Sequence, residues 1–306
     1  MDLADIVGRE YMDADVALRI ADALRRRVDA GEYASVTAPD ALAARLTRDL
    51  LTESQDKHLA VTLVRAPSPK APATTKPSTR EEGVRRTNGG VQRVEILPGN
   101  VGYLNLTSFW RLEEAREPIG TAMGLLKRAD ALIIDMRENG GGSPETVAFL
   151  MGHLFDESGL PMFDIVSRSG NVVSYATPAS APAERHPRRP TYVLTSSRTF
   201  SAGEGFAFLL QERRRAEIVG ERSAGAANPG RPYKVSELFE VTVPNGKVRS
   251  AVGGGNWEGR GVTPDIEAAA ADALRAAHSR ILKRLIEEAE GEWRVRLEQI
   301  LRSLEK

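Results

Sequence analysis

The chain has 306 residues, of which 41% are hydrophobic and 27% are charged, as is ordinary for a folded globular protein. Its 42 Lys and Arg residues balance its 42 Asp and Glu residues. The chain therefore lacks the excess positive charge that would indicate nucleic-acid binding. The lack of cysteine excludes disulfides, thiol catalysis and cysteine metal sites, and no apolar run is long enough to span a membrane. The acidic N-terminus has no signal-peptide pattern, which fits a cytoplasmic protein or a secreted one whose signal has been removed, so the compartment is unknown.

Residues 1–64 predict an N-terminal helical subdomain. Apolar residues recur at helical spacing from Val16 to Val28 before Gly31, and leucines repeat the pattern after Pro39, a residue suited to a first helical turn. Residues 65–90 are rich in proline, serine, threonine and lysine and have little apolar content. That composition predicts a flexible linker or loop.

Residues 91–268 predict an α/β core with a largely parallel sheet. Apolar strand-like runs at 101–109, 131–137, 192–194 and 216–221 alternate with helical patterns. The Asn-Gly step at 245–246 predicts a hairpin turn. Residues 269–306 predict a C-terminal amphipathic helix or helix pair, which is a candidate surface for homo-oligomer formation.

Ser201 lies where one of these strands gives way to a helix. It precedes Ala202, Gly203 and Glu204, and Ser-x-x-Glu is the pattern of a capping box, so a structural cap is one interpretation. The other is a nucleophile, because the first turn of a helix supplies free N–H groups and its small residues leave room for a substrate. The local pattern is compatible with both.

A serine nucleophile needs a base, and histidine is the commonest. His58 lies where the second helix of the subdomain ends, which makes it the candidate. His186 and His278 are expected at the surface and His153 in a packed helix. The glycines at 140–142 follow a strand and precede a helix, so they form either a flexible turn or a close approach to a substrate carbonyl.

Five segments together resemble the C-terminal processing (tail-specific) serine peptidases. They occur in the family's order: ESQDKH (53–58), ALIIDMRENGGG (131–142), TSSRTFSAGE (195–204), GERSAGAANPG (220–230) and WEGRGVTPDI (257–266). The interval from His58 to Val101 is too short for a PDZ domain, and the chain has Gly225-Ala226 where the serine–lysine branch has Gly-Lys. The resemblance is therefore greatest to the branch of the tricorn-protease core and the interphotoreceptor retinoid-binding protein repeats.

The resemblance implies a crotonase/ClpP-like β/α core and a role for each matching residue. Ser201 would be the nucleophile and His58 the base, and the N–H groups of Gly141 and Ala202 would form the oxyanion hole. Glu258 matches a glutamate that supports the histidine in the tricorn core through a serine immediately before that histidine.

This chain departs from that relay, because the residue immediately before His58 is Lys57 and not a serine. Three arrangements stay open: Glu258 reaches His58 directly, another acceptor such as Asp56 orients His58, or the site is degenerate. An ion pair between Lys57 and Glu258 would make the contact structural.

The predicted function is a serine hydrolase, specifically a peptidase that cleaves peptide or protein substrates by acyl transfer without a metal or another cofactor. A non-catalytic binding module for apolar ligands or peptides on the same fold is the alternative. An acyl-CoA enzyme of the crotonase type is compatible with the core but has no support from the five segments.

Overall fold

The computed structural model describes residues 2–64, 79–180, 182, 185–186 and 188–305. Within these residues a 3-10 helix spans Asn88–Gly90, and the α-helices are α1 (Leu3–Glu10), α2 (Ala14–Asp29), α3 (Pro39–Ser54), α4 (Thr79–Arg86), α5 (Leu112–Leu125), α6 (Pro144–Gly152), α7 (Ala202–Glu212), α8 (Ala273–Glu288) and α9 (Gly291–Leu304). The strands are β1 (Ala60–Leu63), β2 (Val91–Leu97), β3 (Val101–Leu106), β4 (Ala131–Asp135), β5 (Pro161–Ser167), β6 (Val172–Ala176), β7 (Thr191–Thr195), β8 (Glu217–Gly220), β9 (Gly230–Lys234), β10 (Phe239–Pro244), β11 (Gly246–Ser250) and β12 (Ile266–Glu267).

The described residues form two compact units. The first comprises those in 1–76, 164–174 and 226–249, and the second those in 77–163, 175–225 and 250–306. The first unit contains α1 to α3 and an antiparallel sheet of order β1-β10-β9. Its core joins apolar side chains of the three helices to those of β1 and β10, among them Ile20, Leu50, Val61 and Val241. The N-terminal helices therefore pack on a small sheet of their own.

The second unit is built on a six-stranded sheet of order β12-β8-β7-β4-β3-β2. Five neighbouring strands run parallel, and only β2 is antiparallel, against β3. Every residue of β4 and β7 is buried, which is why these strands read as unbroken apolar runs. Alternate strand residues, such as Ile133 and Leu194, meet the Ala273, Ala277 and Ile281 stripe of α8 on one face of the sheet. The predicted α/β core with helices at both ends is confirmed.

A second three-stranded sheet has the order β11-β5-β6, and the boundaries between the units fall inside its strands. Of the predicted 65–90 linker, residues 65–78 lie outside the described residues. The remainder contains α4 and the 3-10 helix. No helix in the described part of the chain combines the length and the apolar character that a membrane crossing requires.

The Asn245-Gly246 step does not form the predicted hairpin. β10 pairs with β1 and β9, whereas β11 belongs to the sheet with β5. A type I′ turn needs positive φ at both central residues, and neither residue has one. Their N–H groups instead donate to the Pro229 carbonyl, at 3.1 and 3.3 Å.

Two histidines expected at the surface are buried. His186 donates from Nε2 to the Met123 carbonyl at 3.2 Å, and His278 donates from Nε2 to the Pro98 carbonyl at 2.7 Å. His153 is buried in the helical region, as predicted. The imidazoles of His186 and His278 each bond a carbonyl because an unbonded polar ring atom in the interior is costly.

Candidate active site

The candidate nucleophile and glycine loop lie at one edge of the second unit's sheet. β4 and β7 are parallel, so the segments that follow them, 136–143 and 196–201, leave the sheet at the same edge. Ligands of parallel α/β sheets bind beyond the carboxyl ends of the strands. This edge is therefore where chemistry is expected.

Ser201 is the last residue before α7 and has an unusual backbone. Its φ is 54° and its ψ is −121°, outside the regions that L-residues ordinarily occupy. A strand-to-helix turn strained in this way presents the serine of hydrolase nucleophile elbows to substrate. The predicted transition from strand to helix is present at Ser201. The backbone of Ser201, however, forms a strained turn, whereas an ordinary N-cap residue is extended.

The neighbouring Ser196 has a structural role. Ser196 is 1% exposed, and its hydroxyl donates to the Arg137 carbonyl at 2.6 Å. The Ser196 N–H donates to the Thr199 hydroxyl, which donates in turn to the Met136 carbonyl. These bonds join the turn before Ser201 to the segment after β4.

Glu204 holds the Ser201 turn from inside the protein. Its side chain is fully buried, and one carboxylate oxygen accepts the Ser201 N–H at 2.8 Å. The other oxygen accepts the Ser223 hydroxyl at 2.7 Å and the Gly225 N–H at 2.5 Å. The capping pattern predicted the first of these bonds. The other two come from a loop that sequence reasoning did not connect to Glu204.

Gly141 lies against Ser201 and Ala202. A Cβ built at Gly141 would be 2.7 Å from the Ser201 Cβ and 3.0 Å from the Ala202 nitrogen, and its φ of 94° also favours glycine. The structure thus brings together three of the predicted site residues. No side chain other than hydrogen fits at Gly141 without displacing the Ser201 turn.

Asn139 positions the glycine loop and was not identified from the sequence. It is fully buried, its Nδ2 donates to the Leu106 carbonyl at 2.9 Å, and its Oδ1 accepts the Gly141 N–H at 2.9 Å. An asparagine that accepts the N–H two residues later is a common turn, so Asn before Gly-Gly-Gly was the available signal. In this conformation the Gly141 N–H is directed towards Asn139.

Glu258 lies in a loop that is bonded to the Glu204 network. The Gly259 N–H donates to the Gly225 carbonyl at 3.0 Å, and the Val262 N–H donates to the Ser223 hydroxyl at 2.7 Å. Glu258 is half-buried, and its own N–H donates to Asn256 Oδ1 at 3.1 Å. Ser201 and the Glu258 loop are therefore connected through Glu204.

His58 belongs to the first unit and lies beside the carboxylate of Asp56. The His58 N–H donates to Asp56 Oδ1 at 3.0 Å, and His58 Nδ1 is 4.0 Å from the same oxygen. Asp56 is 2% exposed and also accepts from the Tyr11 hydroxyl and the Asn228 amide. Burial lowers the pKa of His58 below its ordinary value, and the Asp56 charge opposes that shift. Lys57 is exposed.

A cavity of about 650 Å³ adjoins the glycine loop. Its lining combines apolar and charged residues: Phe109, Trp110, Leu112 and Gly142 with Arg80, Arg111, Glu113, Ser143 and Glu145. Gly142 forms a parallel bridge with Phe109, and the Phe109 N–H donates to the Gly141 carbonyl at 2.8 Å. The lining of this cavity therefore begins one residue from Gly141.

Comparison with known families decides the identity of the fold. The model of peptidase family S41 matches residues 100–268, more than half of the chain. The chain belongs to peptidase family S41. The model of the N-terminal domain of peptidase S41 in eukaryotic IRBP matches residues 1–95. The S41 match covers Ser201, Glu204 and Glu258, and the N-terminal match covers His58. The family predicted from the five segments is confirmed.

Curated relatives of this S41 chain are named as processing proteases. It is 27% identical over 179 residues to the carboxy-terminal processing protease CtpA of Bacillus subtilis, covering 57% of the chain and 36% of the relative. It is 32% identical over 148 residues to the carboxyl-terminal-processing protease of Synechocystis, covering 47% of the chain and 31% of the relative. The matched part spans about a third of the length of these curated relatives.

Solved structures share the fold of the S41 chain over nearly its full length. A protein from Parabacteroides merdae superposes with a TM-score of 0.59 at 18% identity, covering 92% of this chain and 94% of that one. A lipoprotein from Streptococcus agalactiae gives 0.57 at 15% identity, with the same coverage. At these identities the likeness concerns the fold.

Proposed function

We propose that this S41 chain is an active serine peptidase and that Ser201 is its nucleophile. The observation that carries the proposal is the strained backbone of Ser201, held by buried Glu204 and packed against Gly141 at the carboxyl edge of the sheet. Strain of this kind costs about 1–3 kcal/mol and persists where the surrounding structure enforces it. A structural cap needs no such conformation, whereas an exposed nucleophile benefits from it.

His58 is the proposed base. The Ser201 hydroxyl attacks the scissile carbonyl carbon and its proton passes to the His58 imidazole, forming a tetrahedral oxyanion. The oxyanion collapses, the imidazolium gives that proton to the leaving amine, and the acyl-enzyme remains. A water molecule then loses a proton to His58, attacks the ester and releases the acid, and the proton returns to Ser201. Because burial lowers the pKa of His58, its imidazole is neutral near pH 7 and able to accept the proton.

Backbone N–H groups of Ala202 and Gly141 are the proposed oxyanion donors. The Ala202 nitrogen belongs to the first turn of α7, where backbone donors lack helical acceptors. The Gly141 N–H is bonded to Asn139, so it has to turn or to share its hydrogen when the oxyanion forms. Substrate binding would then tighten the hole, as apo catalytic geometry often requires.

Two carboxylates are candidates to orient His58. Asp56 is supported by its 4.0 Å separation from His58 Nδ1, and Glu258 by its match to the family's motif. We propose that the Asp56 carboxylate stabilises the protonated form of the His58 imidazole and that Glu258 holds the ring in its orientation during proton transfer. Lys57 then has no part in the chemistry.

The proposed substrates are peptides or proteins with a bulky apolar residue next to the scissile bond. The apolar side chains among the lining residues, Phe109, Trp110 and Leu112, support this preference, and the charged residues of the lining would contact the polar backbone of the peptide. The relatives' names suggest cleavage near a C-terminus. Homo-oligomer formation through the C-terminal helices is a separate proposal, supported by exposed Trp293 and Val295 on α9.

A peptide-library digest tests the proposal. Wild type, Ser201→Ala and His58→Ala are incubated with unstructured peptides with free or amidated C-termini, and the products are sequenced by mass spectrometry. We expect cleavage by wild type only, after bulky apolar residues. If folded wild type cleaves nothing and binds apolar ligands, the non-catalytic alternative replaces this function.

A further inference from the structure

A second cavity lies at the opposite edge of the second unit's sheet from Ser201. It has a volume of about 400 Å³ and is bordered by the first residues of β7 and β8, Thr191 and Glu217, and by the end of α7. Because β7 and β8 are parallel, their amino ends share one edge, while Ser201 follows the carboxyl end of β7. The cavity is thus separate from the proposed catalytic site.

The lining of this cavity is strongly cationic. Five arginines border it: Arg188, Arg189, Arg214, Arg215 and Arg284. Arg188 lies 3.7 Å from Asp156, which is not part of the lining. The two carboxylates of the lining have partners of their own. Asp265 accepts the Ile218 N–H at 2.7 Å and the Gln211 amide at 2.9 Å, and Glu217 is 3.5 Å from Arg280. Within the described part of the chain, no carboxylate oxygen lies within 4.0 Å of the Arg214 or Arg284 guanidinium.

At the base of the cavity, the charged Arg215 side chain is held in place by hydrogen bonds to neutral groups. Arg215 donates to the carbonyls of Leu154, Arg189 and His186, and to the Thr191 hydroxyl. Burial lowers the pKa of Arg215 to about 10, so the guanidinium remains charged at pH 7. The direct hydrogen-bond partners of the fork are all neutral, and the charge of Asp156 only partly offsets the effect of burial, so an anion in the cavity would add to this compensation.

Arg214 adds an independent sign of function. It follows the end of α7 with a φ of 52°, the left-handed position that glycine ordinarily fills. A positive charge near a helix C-terminus is favourable, which partly explains why an arginine occupies this position. Arg213 and Arg215 already supply that charge, so a third arginine in a disfavoured backbone conformation calls for another reason.

We propose that this arginine cavity binds a small molecule that carries a phosphate group. Planar guanidinium forks match the oxygens of phosphate in bidentate pairs, which a lysine cannot do. The cavity volume exceeds that of a phosphate group alone and lies within the range of small-molecule sites. Its polar lining favours the charged end of the ligand, with the remainder directed outwards.

Calorimetric titration with inorganic pyrophosphate tests the site. The titration uses the full chain at a fixed ionic strength of about 0.15 M, with sodium chloride as the balancing salt. We expect saturable binding at one site with a dissociation constant below about 1 mM. The double variant R214Q/R284Q should bind at least tenfold more weakly. The control R48Q/R296Q changes the net charge equally at exposed positions that do not line the cavity and should bind within twofold of wild type.

Arg214→Gly separates binding from folding. Glycine relieves the left-handed backbone, so this variant should melt at or above the wild-type temperature without ligand and still bind pyrophosphate more weakly. Absence of saturable binding overturns the proposal, as does equal weakening in the control variant. If an acidic peptide binds in an Arg214-dependent way and pyrophosphate does not, the site is a peptide surface and the phosphate assignment is wrong.

Discussion

The N–H of Ser201 donates to a carboxylate oxygen of Glu204 that has no exposure to solvent, and the other oxygen of Glu204 receives the Ser223 hydroxyl and the Gly225 N–H. One buried anion therefore joins the strained turn to the loop that contacts the Glu258 segment. A charged acceptor with three donors is stronger than three neutral contacts. Its removal should affect both folding and the reactivity of Ser201.

Glu204→Gln is expected to lower the free energy of unfolding by about 1–3 kcal/mol, because the amide group directs a donor at another donor. It should also slow reaction of the folded protein with a serine-directed probe, since the Ser201 turn is no longer held. Denaturant titration and labelling rates measure the two effects. Glu237→Gln, at an exposed position, is the matched control. A Glu204→Gln protein with wild-type stability and reactivity would show that Glu204 is not a positioning residue.

The strain at Ser201 predicts an unusual order of stability. Ser201→Gly should be more stable than Ser201→Ala by about 1 kcal/mol, because glycine adopts the positive φ without a Cβ clash. At Ser197, where φ is not positive, the order should reverse, since glycine only adds freedom to the unfolded chain. Thermal and denaturant unfolding of the four variants tests this. The same order at both positions would mean that Ser201 is not strained.

The pH dependence of turnover should report on His58 and Asp56. The Asp56 charge raises the pKa of His58 against the larger effect of burial, so Asp56→Asn should move the acidic limb of kcat/KM to lower pH. An unmoved limb, or a move to higher pH, would exclude Asp56 as the carboxylate that acts on the base.

Glu258→Gln and Lys57→Ser complete that comparison. Glu258→Gln should lower turnover by about 10²–10⁴, the range lost when a catalytic imidazole is held in the wrong tautomer. Lys57→Ser should keep or raise activity. If Lys57→Ser inactivates while Glu258→Gln has no effect, Lys57 belongs in the mechanism and Glu258 does not.

Buried His278 makes folding sensitive to acid. Burial lowers its pKa in the folded state, and its bond to the Pro98 carbonyl only partly opposes this. Below pH 6.5 the unfolded chain takes up a proton that the folded chain resists, so stability should fall as the pH decreases from about 7.5 to 5.5. His278→Gln, which can still donate to Pro98, should show a shallower decrease. An equally steep decrease would assign the effect to other groups.

The sequence predicted the sheet and the place of Ser201 because both depend on local patterns. The apolar run at 192–194 and the Phe206, Leu209 and Leu210 stripe are direct signatures of a buried strand and a helix face. The Asn245-Gly246 hairpin failed because Asn-Gly is also a local signal, and here β10 finds partners elsewhere in the chain. Tertiary pairing overrode the turn preference.

Other features depend on contacts that no local pattern contains. Glu204 and Ser223 are 19 residues apart, and nothing in either segment indicates that they bond. The sequence around His278 predicts a surface position, yet His278 follows Ala277 of the buried α8 stripe and lies against Pro98. The conformation of Ser201 likewise follows from bonds across the fold and not from its own identity.

We propose that Ser201 is a nucleophile made reactive by its surroundings. Fluorophosphonate labelling followed by peptide mapping tests this role. We predict one modified residue, Ser201, and complete loss of labelling in a folded Ser201→Ala protein. Labelling that persists in Ser201→Ala, or that maps to Ser196 or Ser197, would contradict it.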